Sequence, residues 1–341
     1  MRLLVLLAAL LASAPPRSDA QHVNFYRMSS NGCATGVKSD TGYSAPVIKY
    51  VWRKYRAQLI NAARGYEGFR FVVNEGDDAL AEYVGLCLYA ALWYMHIYPT
   101  VAAIGGWEFG RRTKRYFSKS EFYACVMPII VELALIIDEV DYADRLHPRN
   151  HGTGILYRRF TALIDCAPIF VRDPTDSFWS SLLFQGKYNG AVFKIQVAIN
   201  FLGWIVLYTG LHAGTRTDDE IFHDTAAQHP FEWWELWLGD GAYESCLGCV
   251  TGYAQRAAQA LGVEDVWFNS YINHYRQRVE HTMHLLKDHG MWRCIHARNS
   301  PLVLDACMKL TVHLTNVGIK EPWMPSPCAR YPGWGNHPHY P

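Results

Sequence analysis

The chain has 341 residues, half of them hydrophobic and 18% charged, with a formal net charge of +1. That length suits two domains with their own cores, and the near-neutral balance excludes a globally basic nucleic-acid binder, so any DNA-binding surface is a local basic patch. Nine widely spread cysteines are too few and odd in number for a disulfide scaffold.

The N-terminus reads as a secretory leader over 1–20: Arg2, an apolar run from Leu3 to Leu11, and a small-residue pattern, Ser18-Asp19-Ala20, before Gln21. The run is too short to span a bilayer, and a non-functional leader fits the same pattern. The absence of any Asn-x-Ser/Thr acceptor disfavours a secreted glycoprotein. Farther on, Asp77-Asp78 are placed to cap a helix through Ala79 to Met95, ended by Tyr98-Pro99-Thr100. A basic cluster follows, Arg111, Arg112, Lys114, Arg115 and Lys119, and Ser118 or Ser120 opens a helix through Ile137. Two helices around a basic turn fit a helix-turn-helix-like module; an ordinary helical bundle with a solvated charged loop fits them equally.

Around Asp144–Gly154 the composition shifts to Arg, His, Pro, Asn and Gly, which marks a domain boundary. The expected division is a leader at 1–20, a helical region at 21–150, a second domain at 151–320 and a Pro-rich tail at 321–341. Beyond the boundary the period changes. Thr161–Val171, Gly190–Asn200 and Trp204–Leu211 predict three strands of an antiparallel meander. Asp218 to Ala227 predicts a short helix, with Asp218 as its cap. Glu235–Leu238 predicts a short strand, Gly252–Leu261 a helix and Val266–Asn269 another short strand. Ser270 then caps a long helix to about His289. Strands followed by interleaved helices indicate an α/β layer fold.

Three acidic residues stand out. Asp165 sits inside the apolar run Leu163-Ile164-Asp165-Cys166-Ala167-Pro168, where a carboxylate is costly unless it is paired or binds a metal. Asp240 ends a strand-like run, and in open α/β sheets ligands gather at the carboxyl ends of strands. Glu280 lies on the long helix, where Arg276, Glu280, His284 and Lys287 share a face. Taken singly, a solvent-facing Asp, a turn Asp and a surface salt-bridge stripe explain them as well. Taken together they are hard oxygen ligands suited to Mg²⁺ or Mn²⁺. In a two-metal arrangement, ions about 3.5–4 Å apart act on the attacking and leaving oxygens of a phosphodiester. Cys246-x-x-Cys249 with Cys294 and His296 has zinc-like spacing, but structural cysteines are the better expectation.

The segment from about Leu163 to Gly318 resembles the DDE superfamily endonucleases, the group that contains PIF/Harbinger-type transposases and their domesticated relatives. The resemblance rests on ordered blocks: Leu163-Ile164-Asp165-Cys166; Gln185-Gly186-Lys187; Phe193-Lys194-Ile195-Gln196-Val197; Gly203-Trp204-Ile205-Val206; Gly214 to Phe222; Leu238-Gly239-Asp240-Gly241-Ala242-Tyr243; Asn269 with Arg276, Glu280 and Lys287; and a closing helix, Ala306 to Asn316. The segment departs from the family pattern where Cys166-Ala167 replace Gly-Thr, where Gly241 is displaced, and where Thr217 replaces His. The resemblance implies an RNase H-like core, a mixed sheet flanked by helices, preceded by the helical domain. It implies a metal-dependent DNA endonuclease or transposase with Asp165, Asp240 and Glu280 as catalytic metal ligands for Mg²⁺ or Mn²⁺. Lys187, Lys194, Arg276 and Lys287 would contact DNA. It further implies a nuclear site of action, admits a separate DNA-binding partner protein and a homo-oligomer, and calls for no membrane span. A domesticated, inactive DNA-binding protein is the alternative, and a working leader would instead send the chain to the secretory pathway.

Overall fold

The computed structural model describes residues 41–99, 117–138, 140–147, 158–172, 177–253, 262–296 and 300–320. The leader, the cluster Arg111, Arg112, Lys114 and Arg115, the boundary residues 148–154, most of the helix expected at Gly252–Leu261, and the tail 321–341 lie outside the described residues. The chain divides into two compact units, one of Met1–Asp138, Asp288–Met291 and Asn299–Leu314, the other of Glu139–Lys287, Trp292–Arg298 and Thr315–Pro341.

The first unit is helical. Helix α1 (Ala45–Ala63) opens with Pro46 in its first turn, where the missing N–H costs nothing. Helix α2 (Asp77–Ile97) has Gly76 at its N-cap, with φ 108°, and Asp77 and Asp78 in its first turn, where they favour the positive end of the helix dipole. Tyr98, in the left-handed region at φ 50°, ends it. Ser118 and Glu121 form a reciprocal capping box, and the helix it opens passes through a π-helical turn, Phe122–Val126, into α3 (Met127–Ile136). Of the two expected starts, Ser118 and Ser120, the hydrogen bonds select Ser118. Helices α1, α2 and α3 pack on one another, and Val47, Val51, Leu59, Val84, Cys87, Leu88, Met95, Ile129 and Ile130 are fully enclosed. Both Asp77–Ile97 and Leu302–Lys320 are long and apolar enough to cross a membrane, yet 78% of each such window is buried inside the protein, as in a core helix.

The second unit is a mixed sheet flanked by helices, eight strands among the described residues. Its centre is β1 (Phe160–Arg172), which pairs antiparallel with β3 (Gly190–Ile199). The flanking β2 (Phe184–Gln185), β4 (Ile205–Tyr208) and β5 (His212–Ala213) all run antiparallel to β3. On its other side β1 pairs parallel with β6 (Leu236–Leu238) and β8 (Cys294–His296), and β6 pairs parallel with β7 (Cys249–Val250). The meander expected from Thr161 to Leu211 is thus present, and the unit has the α/β architecture expected of an RNase H-like core.

Side chains alternate across a sheet. Ala162 and Ile164 of β1 join Ala198, Val206, Trp237 and Tyr243 in one buried cluster with Phe222 of helix α4 (Asp218–Gln228). Leu163 and Asp165 therefore point to the other face. Helix α5 (Val263–Lys287) packs on β1 and β3. It corrects two expectations: Val266–Asn269 is helical rather than a strand, and Ser270 lies inside the helix instead of capping it. The β-branched and aromatic run Val266-Trp267-Phe268 has strand composition, but Glu264 and Asp265 stabilise a helix start just before it. Helix α4 brings a third correction. Its cap is Thr217, in a capping box with Glu220, whereas Asp218 is already in the first turn.

A buried ion pair fixes the approach to β6. Arg145 donates to Glu235 from Nε at 2.7 Å and from a terminal nitrogen at 3.0 Å, and the Trp237 indole N–H donates to the same carboxylate at 2.7 Å. The guanidinium also lies 3.6 Å from the centroid of the Tyr142 ring. Helix α6 (Pro301–Lys320) contributes its residues through Leu314 to the first unit and the remainder to the second. In the second unit the Asn316 amide accepts from Ile205 N–H at 2.9 Å and donates to Ile205 C=O at 3.0 Å, which extends β4 by one side-chain rung.

Candidate active site

Register puts two of the expected carboxylates side by side. Leu163 pairs with Leu238 in the parallel β1–β6 ladder, and Asp165 and Asp240 each follow two residues later. The strand period of two turns Asp165 toward the face that carries α5, and Asp240 stands just past the end of β6, where its charge acts on Asp165. Asp240 is fixed locally as the cap of a short 3₁₀ turn, its Oδ1 accepting from Ala242 N–H at 3.0 Å. Asp165 accepts from Cys166 N–H at 2.8 Å.

The electrostatics follow from this adjacency. Burial first, and then the neighbouring Asp240 charge, raise the Asp165 carboxyl to about 7, while the Cys166 N–H and the Arg276 guanidinium oppose the rise. Two carboxylates with too little compensating charge favour either a shared proton or a cation. As hard oxygen donors the pair fits a divalent cation.

Glu280 is placed differently. It is exposed, and it pairs with Arg276 one turn earlier on α5 at 3.7 Å. Among the described residues, no group of three or more His, Cys, Asp and Glu converges closely enough to hold a metal. The structure therefore brings Asp165 and Asp240 together and leaves Glu280 outside a tight three-carboxylate group, with Arg276 as the residue in electrostatic reach of both sides.

The expected DNA-contacting residues also separate. Lys187 is exposed, with its ammonium 5.5 Å from the Tyr188 ring centroid. Arg276 and Lys287 are half-buried on α5. Lys194 is buried and committed internally, donating to Asp218 Oδ1 at 2.9 Å and to Arg216 C=O at 2.6 Å. The Cys246–Cys249 pair is structural: Cys246 belongs to the apolar cluster and Cys249 packs against it.

A polar network behind the site was not foreseen. The Tyr243 hydroxyl donates to Cys166 Sγ at 3.4 Å, and Gln196 Nε2 donates to that hydroxyl at 3.3 Å and to the sulfur at 3.6 Å. Thr225 completes it by donating to Gln196 Oε1 at 2.8 Å. Burial pushes the Cys166 thiol well up, so it stays protonated and is no nucleophile. Tyr243 also donates its backbone N–H to Asp240 C=O at 3.0 Å. One buried residue thus ties the turn that carries Asp240 to the residue next to Asp165. Tyr243 stands in a recognisable sequence block, but nothing in the spacing identifies its partner across the sheet.

Residues 164–316 match a family model described as DDE superfamily endonuclease. No curated protein and no solved structure gives a match. The family match covers under half of the chain, opens one residue before Asp165 and closes on Asn316. It bears out the resemblance at the level of the superfamily and does not single out the PIF/Harbinger type.

Proposed function

We propose that this protein is a metal-dependent DNA endonuclease or transposase whose centre is the Asp165–Asp240 pair, with Glu280 as its third acidic group. The observation that carries it is that Asp165 on β1 and Asp240, two residues past the end of β6, each follow the Leu163–Leu238 pair by two positions, with burial and then the Asp240 charge raising the Asp165 carboxyl. Mg²⁺ or Mn²⁺ bound there supplies Lewis-acid stabilisation of the oxygens at a scissile phosphodiester. Asp165 and Asp240 would hold the ion, Asp240 oriented by its turn and Asp165 by the Cys166 N–H. The Arg276–Glu280 pair is long and solvent-facing, worth about 0–1 kcal/mol, so it is no obstacle to Glu280 joining them. Lys187, Arg276 and Lys287 would neutralise phosphates, whereas Lys194 supports Asp218 from beneath. A DNA substrate fits a nuclear site of action, and a separate DNA-binding partner protein or self-association would supply target choice.

The test is nicking of supercoiled plasmid by the purified chain with Mg²⁺ or Mn²⁺. Wild type is expected to nick, and Asp240→Asn to lose the activity by at least about 100-fold, the scale of a lost electrostatic contribution at a reacting centre. Equal nicking by Asp240→Asn removes the assignment.

A second reading is an inactive, domesticated DNA-binding protein. It is favoured by the exposed position of Glu280 and by the absence, among the described residues, of a three-ligand group. DNA binding with no nicking under any divalent ion would select it.

A further inference from the structure

We propose that Tyr253 is a nucleobase-stacking residue for single-stranded DNA at this site and that Asn269 is the residue that positions it; the inference rests on the DNA reading above. Strand β7 lies parallel to β6 with Val250 opposite Leu238. Asp240 leaves the sheet just past Leu238 and Tyr253 just past Val250, so both emerge from the same edge. An exposed tyrosine alone is ordinary. This one differs in how its backbone is held. Asn269 accepts from Tyr253 N–H at 2.8 Å and donates to Tyr253 C=O at 3.3 Å, so one side chain binds both of its main-chain groups. The approach is close: a Cβ on the preceding Gly252 would lie 3.1 Å from Asn269 Oδ1.

The ring packs at a 59° tilt against Phe268, centroids 5.8 Å apart, and still leaves the residue 49% exposed. Its orientation is set from the helix while much of its surface faces solvent. A ring held in this way loses little further freedom on stacking. Asn269 also stands on the face of α5 that carries Arg276, Glu280 and Lys287, at successive spacings of whole helical turns. Tyr253 therefore sits at one end of a row with cations farther along, the combination that follows a nucleic-acid strand: a π surface for a base and positive charge for its phosphates. The matching ligand is an unpaired base, since the face of a base in an intact duplex is already stacked. Any of the four bases offers that face, so the contact is tolerant of sequence.

The experiment is titration of the full chain, in EDTA so that nothing is cut, into a fluorescein-labelled single-stranded oligonucleotide. A parallel titration uses a 2-aminopurine oligonucleotide, whose emission reports stacking. Tyr253→Phe is expected to bind within about twofold of wild type and to quench 2-aminopurine as well. Tyr253→Leu is expected to weaken binding about fivefold or more, the loss of one base–aromatic stack, to lose the quench, and to keep the salt slope, because every phosphate keeps its cation. Asn269→Ala is expected to weaken binding with the ring still present. Thermal melts of each variant exclude unfolding as the cause. If wild type binds DNA and Tyr253→Leu binds and quenches equally, the stacking inference is wrong, while the nuclease assignment is judged separately by Asp240→Asn nicking. If wild type binds no single-stranded DNA, the stacking inference falls, and the nuclease assignment still stands or falls on the nicking assay alone.

Discussion

Tyr243 ties the two halves of the candidate site together: its hydroxyl donates to the sulfur of Cys166 at 3.4 Å while its backbone N–H donates to Asp240 C=O at 3.0 Å. The residue is fully buried. Tyr243→Phe keeps the ring and removes only the hydroxyl, leaving Gln196 Nε2 with one acceptor fewer. The expected cost is about 0.5–1.5 kcal/mol in urea denaturation, the net worth of a typical internal hydrogen bond. If the hydroxyl also sets the spacing of the aspartates, Mn²⁺ affinity falls in the same variant, which an isothermal titration reads directly.

The Asp165–Asp240 pair has a pH signature. In the folded chain the Asp165 carboxyl is raised from 3.8 to about 7 by burial and by Asp240. Between those values the folded chain holds a proton that the unfolded chain has released, so the metal-free protein loses stability as pH rises through this window and levels off above it. Asp165→Asn removes the penalty. In EDTA at pH 8 the variant is expected to melt above wild type, by about 2–4 °C for each kcal/mol relieved, and at pH 4 the two should converge. Melting curves across that range check it. A wild-type midpoint that stays flat from pH 4 to pH 8 would contradict the electrostatic account of the pair.

Lysines 187 and 194 make a matched contrast. Lys187 is exposed, and Lys194 is buried on Asp218. Lys187→Ala is expected to lower the slope of log binding constant against log salt by about one unit for each phosphate left without its cation, with little effect on stability. Lys194→Met is expected to leave that slope alone and to destabilise the chain by about 3–5 kcal/mol, because Asp218 is left without its partner in a mostly enclosed site. Salt-dependent DNA titrations and urea melts of both variants separate the roles.

The buried Arg145–Glu235 pair anchors the residue just before β6, the strand that leads to Asp240. Glu235→Gln is expected to cost about 3–5 kcal/mol, since it strands a guanidinium that is 4% exposed. Urea denaturation measures it, and the same variant should nick DNA more slowly at temperatures well below its melting point.

Long elements and the short strands β4 and β6 were legible in the sequence, and the two-residue strands were not. The 13 residues of β1 form a mostly apolar run bounded by turns and the 10 of β3 show β-branched alternation, enough to be read directly, and the two serines Ser118 and Ser120 mark a helix start that the capping box with Glu121 assigns to Ser118. Strands β2, β5 and β7 have two residues each, too few for any period, and exist because a neighbouring strand offers them hydrogen bonds. The misread stretch Val266–Asn269 shows propensity losing to context. The site divided in the same way. Asp165 was visible because a carboxylate is conspicuous in an apolar strand, and Asp240 because it ends one. That Lys194 turns inward, or that Tyr243 reaches Cys166, depends on side-chain direction across the sheet, which spacing along the chain does not encode. Glu280 was found by its place on a helix, but a helical position does not specify which neighbour the side chain faces, and here that neighbour is Arg276.

The most direct measurement is Mn²⁺ binding to the full chain at pH 8, followed by the loss of the free-ion electron paramagnetic resonance signal. Wild type is expected to take up Mn²⁺ saturably, and Asp165→Asn and Asp240→Asn each to abolish or sharply weaken that uptake while remaining folded. Undiminished uptake by both variants, or none by wild type, would contradict a metal site built on Asp165 and Asp240.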